Sequence, residues 1–381
     1  MTTVPLPIPV LRPGRDGYGH ARMPRGAIVP EPERIDRVEY GRFRNVYLYI
    51  TEACQLRCET CYMGERLDRA LKMPLSEIVS TLATWRRMGG SKLTILGGEP
   101  TLHPNYVDAI RFAGRLGYEH VITTTNAQQP ALRKLRQLGP GDFAYVQVSL
   151  DGGGPESHDA IRGQGTFDQA LATTAELTTR GFDTRIICTV NQANKDDALK
   201  LLDIADELGV SLVKFHVFST IGTGHGNPEL AMTPPEWVEF CDTLGHVAPH
   251  YQARVWYQPT YARRDQMERY AAEGYQGCIG RTLDRISVFP DGRAYVCSYL
   301  FDTSLYFARM DKGQVVLNHG DNEFDLFTKP LVASNCGGCK ASACLGGCPA
   351  EEVVMGTSSC AAYEDIVPVC RLWKSSAKPE D

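Results

Sequence analysis

Between residues 46 and 218 the sequence changes its hydrophobic period again and again, and this repetition restricts the fold more than any other feature. Short β-branched and apolar runs stand at 46–50 (VYLYI), 92–96 (KLTIL), 121–125 (VITTT), 145–150 (YVQVSL), 184–190 (TRIICTV) and 211–218 (SLVKFHVF). Between them lie segments with helical spacing. In 75–89 the apolar residues Leu75, Ile78, Val79, Leu82 and Trp85 share one face, and comparable segments occupy about 105–116, 130–138, 167–181 and 196–209. Six strand–helix alternations predict a parallel sheet joined by crossover helices. The alternation stops near residue 220, which predicts an α/β fold of the open (β/α)6 partial TIM-barrel type, not a closed eightfold barrel. In such folds the chemistry sits at the C-terminal ends of the strands.

The flanking segments read differently. Residues 1–45 are rich in Pro, Gly and Arg and are read as an irregular arm before a core over 46–225. Residues 226–277 are read as a helical bridge. Residues 278–381 are read as a small Cys-rich α+β domain, with RISVFPDGRAYVC forming a hairpin that turns at Pro290-Asp291-Gly292. The chain has 381 residues, 43% of them hydrophobic, and a net charge of −5 without a basic stripe. Nucleic acid is therefore not an expected partner. No apolar run is long enough to span a bilayer, and the N-terminus carries no signal-peptide pattern, so no membrane partner and a cytoplasmic location are expected.

Thirteen cysteines remain to be explained. An odd number cannot pair fully, and a cytosolic chain of this size does not need disulfide staples. Cys54, Cys58 and Cys61 form a C-x3-C-x2-C loop directly after the first strand. Three thiolates on one loop can hold three irons of a cubane cluster and leave the fourth iron open to another ligand. The competing reading is structural zinc, which wants four protein ligands; no fourth Cys or His lies in this loop.

These residues, with others that follow them in order, resemble the radical SAM superfamily over about 46–225. Gly97-Gly98-Glu99 after the second strand looks like the family's Gly-Gly-Glu segment. The resemblance implies glycines that let backbone approach S-adenosylmethionine and an acid that accepts from its ammonium group. Thr125-Asn126 end the third strand, where the family commonly has Thr-Asn-Gly and this chain has Ala127. Ser149 and Asp151 end the fourth strand, and Arg162 follows. Ser149 and Arg162 resemble residues that contact the ribose or carboxylate of the cosubstrate, and Asn191 ends the fifth strand at a position that, by the same resemblance, is expected to face the adenosyl group. The residue before the third cysteine is usually aromatic in the family. Here it is Thr60, with Tyr62 beyond Cys61.

Cys278, Cys297, Cys336, Cys339, Cys344 and Cys348, with Cys360 and Cys370, resemble the SPASM extension of the same superfamily, one residue short in the dense run. The resemblance implies one or two auxiliary [4Fe–4S] clusters. The first takes Cys278, Cys297 and Cys348. The second takes Cys336, Cys339, Cys344 and a late cysteine, Cys370 in preference to Cys360. Cys188 and Cys241 fit no cluster and are read as buried thiols.

The implied activity is reductive cleavage of S-adenosylmethionine at a [4Fe–4S] cluster, followed by hydrogen-atom abstraction from a substrate. A flavodoxin- or ferredoxin-type protein is the expected electron donor. Only about 45 residues precede the first strand, fewer than a peptide-recognition module needs. The substrate expected on this ground is a small sugar-, aminocyclitol- or nucleoside-type molecule in natural-product biosynthesis, with a ribosomal peptide or protein as the alternative. An iron–sulfur electron carrier or zinc scaffold is the non-enzymatic alternative. No general acid, base or hydrogen donor is assigned; His216, Tyr257, Tyr261, Arg263, Arg264 and Tyr295 are candidates to line the pocket.

Overall fold

The computed structural model describes residues 43–257 and 284–323, together with 41, 260–263, 265–266, 350 and 365–368. Six parallel strands form where the sequence predicts them: β1 (Asn45–Thr51), β2 (Lys92–Gly97), β3 (His120–Thr125), β4 (Tyr145–Ser149), β5 (Thr184–Val190) and β6 (Leu212–Val217), hydrogen-bonded in chain order. The helices between them are α1 (Arg66–Arg69), α2 (Leu75–Arg87), α3 (Tyr106–Arg115), α4 (Gln129–Leu135), α5 (Pro155–Arg162), α6 (Thr166–Thr179) and α7 (Leu201–Leu208). One face of the sheet packs on these helices. Val46, Leu48 and Ile50 of β1 and Ile78, Leu82 and Trp85 of α2 are fully buried and belong to one continuous core. Alternation along each strand then turns the intervening residues to the opposite, concave face.

The structure extends this sheet at both edges. The stretch read as a helical bridge does contain a helix, α8 (Pro234–Val247), capped by Thr233, whose hydroxyl accepts from the Glu236 N–H. It is followed by a seventh strand, β7 (Arg254–Tyr257), parallel to β6, and by β8 (Tyr261–Arg263). The motif RVWY is too short to read as a strand without its partner. The expected hairpin forms as β9 (Arg285–Val288) and β10 (Arg293–Tyr295), with Gly292 at φ 80° in its turn. Its strand β9 pairs in parallel with β1, Asn45 opposite Arg285 and Leu48 opposite Val288. This covers an edge of β1 that would otherwise leave unpaired N–H and C=O groups. The strands β11 (Ala308–Asp311) and β12 (Gln314–Leu317) continue the same sheet, and β13 (Ile366–Pro368) pairs with β8. Among the described residues, no helix is long and apolar enough to cross a membrane.

Candidate active site at the mouth of the barrel

The loop that leaves β1 carries Cys54, Cys58 and Cys61, and the molecule fixes it from three sides. From β2, the Gly98 N–H donates to Thr51 O (2.9 Å) and the Glu99 N–H to Ala53 O (2.8 Å). From α5, the Ile161 carbonyl accepts from the Glu59 N–H (3.0 Å). From the segment after β6, the Thr223 N–H donates to Cys61 O (2.8 Å), and Asn227 Nδ2 donates to both the backbone and the side chain of Glu59.

Gly97 and Gly98 owe their identity to this packing. A Cβ on Gly97 would lie 2.5 Å from Thr51 O, and one on Gly98 would lie 2.6 and 2.7 Å from Glu52 O and Ala53 O. The glycines thus let β2 press against the cysteine loop, a reason different from the approach to cosubstrate expected from sequence. Gly98→Ala should push the loop out, lowering stability by about 1–3 kcal/mol as overpacking does, and leave less iron per chain after anaerobic reconstitution. Denaturant titration and iron assay check this.

Glu99 is buried, and scaffold groups occupy its side chain. Oε1 accepts from the Thr101 N–H and hydroxyl (3.2 and 2.6 Å) and from the Thr125 hydroxyl (2.9 Å); Oε2 accepts from the Asn126 N–H (2.7 Å). Burial pushes its carboxyl up, and these hydrogen bonds oppose the shift. Glu99 therefore ties the end of β2 to the end of β3. Thr125 acts within that tie, while Asn126 reaches the loop: its Nδ2 is 3.7 Å from Cys54 Sγ, and its Oδ1 accepts from Gln55 (3.1 Å). Ala127 stands at φ 58°, in the left-handed region, which explains why glycine suits this position in relatives.

Asp151 is fully buried and organises the next strand ends. Its Oδ2 accepts from Arg162 Nε (2.6 Å) and its Oδ1 from the Thr189 N–H (2.8 Å). The oriented guanidinium reaches the cysteine loop, with Nη1 4.0 Å from Cys58 Sγ. Ser149 lies at the end of β4, buried, with no hydrogen bond from its hydroxyl to the described residues. Asn191 is fully buried and turned into its own loop: its Oδ1 accepts from the Ala193 N–H (2.8 Å) and its Nδ2 donates to Thr189 O (3.2 Å). It braces the end of β5. Sequence reading missed Asn194, whose Nδ2 donates to Asp151 O (2.7 Å) and Thr189 O (3.0 Å). An Asn three residues after another Asn in a strand-end turn was the available signal. His158 accepts the Asp151 N–H at Nδ1 (3.1 Å), and burial pushes it down to about 4, so it is neutral at pH 7.

The three cysteine thiols fit a cluster better than a single ion. Burial pushes Cys54 up to about 12 and Cys58 to about 11, and raises Cys61. Thiolates so placed need a strongly cationic partner to form. No three His, Cys, Asp or Glu side chains among the described residues converge on one metal position. Three thiolates on one loop are the donor set that holds three corners of a cubane, whereas structural zinc takes four protein ligands. Tyr62 does not serve the space beside the third cysteine. Its hydroxyl donates to that of Tyr49 (2.7 Å), and its ring packs at 6.1 Å from Phe301.

Cys297 is described and buried. Its N–H donates to Glu323 (2.9 Å), a fully buried carboxylate that burial pushes up to about 8. Sequence reading missed Glu323. Cys278, Cys336, Cys339, Cys344, Cys348, Cys360 and Cys370 lie outside the described residues, as does Arg264. Cys188 and Cys241 are buried thiols in the main core.

A parallel sheet whose strand ends converge on a three-cysteine loop defines a class. The profile of the Radical SAM superfamily matches residues 48–205. A GTP 3',8-cyclase of Xanthomonas campestris pv. campestris is 31% identical over 281 residues, covering 68% of this chain and 80% of the relative. The chain belongs to the radical SAM superfamily. Mycofactocin maturase MftC of Mycolicibacterium smegmatis is 26% identical over 348 residues, 87% of this chain and 84% of the relative. The fold is shared with Streptococcus suis SuiB bound to its precursor peptide SuiA, at a TM-score of 0.63 and 16% identity, over 82% of this chain and 73% of that one.

Proposed function

We propose that this radical SAM enzyme is a peptide maturase. The observation that carries the reading is the span of its likeness to mycofactocin maturase MftC, which runs through both the barrel and the Cys-rich region. The SuiB–SuiA complex adds that this fold accommodates a precursor peptide. The expectation of a sugar- or nucleoside-type substrate rested on the short stretch before β1, and the comparisons favour the peptide alternative instead.

In this reading Cys54, Cys58 and Cys61 hold a [4Fe–4S] cluster. With S-adenosylmethionine bound, that cluster supplies the one-electron chemistry that releases a 5′-deoxyadenosyl radical. The chain's own residues bind, orient and exclude water. Arg162, held by Asp151, presents its remaining N–H groups beside Cys58, where a carboxylate of the cosubstrate can be forked. Ser149, at the end of β4 with a hydroxyl that makes no hydrogen bond to the described residues, is available to the cosubstrate. Gly97, Gly98, Glu99, Thr125 and Asn191 position the loops, and Asn126 reaches the first cysteine. Cys297 with the late cysteines holds the auxiliary clusters, and a flavodoxin- or ferredoxin-type protein supplies electrons.

Arg162→Lys keeps the charge and loses the fork. It should weaken S-adenosylmethionine binding by about ten- to a hundredfold, the equivalent of one charge-assisted hydrogen bond at about 1.5–3 kcal/mol, as measured by anaerobic equilibrium dialysis. The function itself is tested on the cluster-loaded protein with dithionite, S-adenosylmethionine and peptides encoded beside the gene. Release of 5′-deoxyadenosine with a mass change in one peptide supports the reading. Release without change in any such peptide, but with turnover of a small molecule, would overturn it.

A further inference from the structure

The concave face of the sheet carries a group of cations that the cysteine site does not use. On β6, Val213 and Phe215 point outward into the helical core, and Phe215 packs on Phe240 of α8. Lys214 and His216 therefore point the other way. On β9, Ile286 and Val288 belong to the outer core, so Arg285 and Ser287 point inward as well. The strands β6 and β9 are separated by five others in the sheet order. In a flat sheet they would lie roughly 29 Å apart at about 4.8 Å per strand. Yet Arg285 acts electrostatically on both Lys214 and His216. The sheet is therefore curved, and β6 and β9 are drawn toward each other across its concave side.

Aromatic faces complete this side. Lys214 Nζ lies 4.3 Å from the centre of the Trp256 ring, and the His216 ring stands 5.6 Å from the same indole. The Arg285 guanidinium lies 4.9 Å from the centre of the Tyr47 ring. Lys214, His216 and Arg285 keep some accessible surface although they lie deep in the sheet, as side chains bordering an internal space do.

Arg285 is partly engaged, by a hydrogen bond with Tyr47 and by Tyr49 and Cys297 nearby; Lys214 and His216 have no acidic group among the described residues acting on them. Burial, then Arg285 and Arg185, push Lys214 down to about 8, and no carboxylate opposes them. Burial, then Lys214 and Arg285, hold His216 well below its ordinary value, again unopposed. Arg185 is already paired with Asp183 (2.5 Å). Glu323 is felt by Arg285, but it also accepts from the Val296 and Cys297 N–H groups. Two buried donors on the same face, Arg285 Nε and the fully buried Ser287 Oγ, have no hydrogen-bond partner. Placing the Lys214 ammonium and two unsatisfied donors on one buried face costs free energy unless a ligand compensates them.

We propose that Lys214, His216, Arg285 and Ser287 form an oxyanion subsite on the concave side of the sheet, which holds a carboxylate or phosphate group of the substrate below the cysteine loop. This rests on the reading of that concave side as substrate space, and it names the chemistry of the substrate's far end. In a peptide that group is a carboxylate; a phosphate ester would indicate a small molecule. Trp256 and Tyr47 provide apolar faces for the carbon skeleton that carries it.

The test uses the cluster-loaded full chain under anaerobic calorimetry, with saturating S-adenosylmethionine so that the cosubstrate's own carboxylate cannot be the occupant. Benzoate, phenyl phosphate and neutral benzamide are titrated. At least one anion should bind about tenfold or more tightly than benzamide, as expected when one charge-assisted hydrogen bond is added. The tighter anion identifies the group. Lys214→Met should erase the preference and Lys214→Arg should retain it, with Arg285→Gln as the second loss variant should Lys214→Met fail to fold. Equal binding of all three probes to the wild-type protein would overturn the subsite. So would displacement of the anions by S-adenosylmethionine, or a preference that survives both loss variants. No turnover is required, so failure of the maturase reading leaves this result standing.

Discussion

Cys58→Ala should reduce 5′-deoxyadenosine release from S-adenosylmethionine to background and remove about four irons per chain, the content of one cubane cluster. Cys58 lies in the middle of the loop, against the one cation that Asp151 aims at it, with Arg162 Nη1 4.0 Å from its sulfur. Two thiolates cannot hold a cubane at three corners, and no other described cysteine can take the place. Cys188 and Cys241 face the helical core, and Cys297 belongs to the cluster of aromatic residues around the hairpin. Cys54→Ala and Cys61→Ala should behave alike. Cys241→Ala is the matched control, because it removes a buried thiol from α8 without touching the loop, and should keep both iron and activity. The checks are iron per chain, the charge-transfer absorbance of the reconstituted protein and chromatography of the nucleoside product. A Cys58→Ala protein that retains its iron and releases 5′-deoxyadenosine at the wild-type rate would remove the basis of the proposed chemistry.

Arg66→Met should destabilise the protein by about 3–5 kcal/mol, the cost of leaving a buried charge without its partner. Arg66 follows the cysteine loop, on α1, and its side chain and that of Glu52 are both fully buried as an ion pair. Its other nitrogens donate to Phe301 O (2.7 Å), Asp302 (3.1 Å) and Asp291 (3.0 Å). The guanidinium lies against the stacked rings of Phe289 and Phe301, 4.8 Å from the centre of each. One side chain thus fastens the loop that follows β1 to the β9–β10 hairpin and the turn after it. Removing it strands Glu52, which only the half-exposed Arg69 (2.8 Å) would still contact. Glu52→Leu combined with Arg66→Met should recover part of the loss, because the stranded carboxylate is then gone. The midpoint of urea unfolding for the two single variants and the double variant measures this coupling. Additive losses would show that the pair does not act as a unit.

The cysteine loop and the strand ends were legible in the sequence because both depend on local order. Strand period, helix period and C-x3-C-x2-C spacing are properties of neighbours along the chain, and β1 to β6 form where those patterns lie. The roles of Glu99 and Asn191 were less legible. A carboxylate or amide at a strand end has the same appearance in sequence whether it meets a ligand or its own scaffold. The Thr101, Thr125 and Asn126 donors around Glu99 come from two different loops. The strand β7 and the pairing of β9 with β1 were illegible for a related reason. Four residues of RVWY or RISV carry little pattern, and only an open sheet edge elsewhere in the molecule gives them a partner.

By itself, then, the sequence determined the order of the parallel strands, the loop that carries the three cysteines and the chemistry those thiols can support. Tertiary structure alone decided that the sheet curves enough for Arg285 to act on Lys214 and His216. Arg285 lies some seventy positions from Lys214 and His216 in the chain, on a strand separated from theirs by five others in the sheet. Local preference acts over a few residues, but charge and packing act through space, and the curvature of the open sheet sets which distant side chains share its concave side.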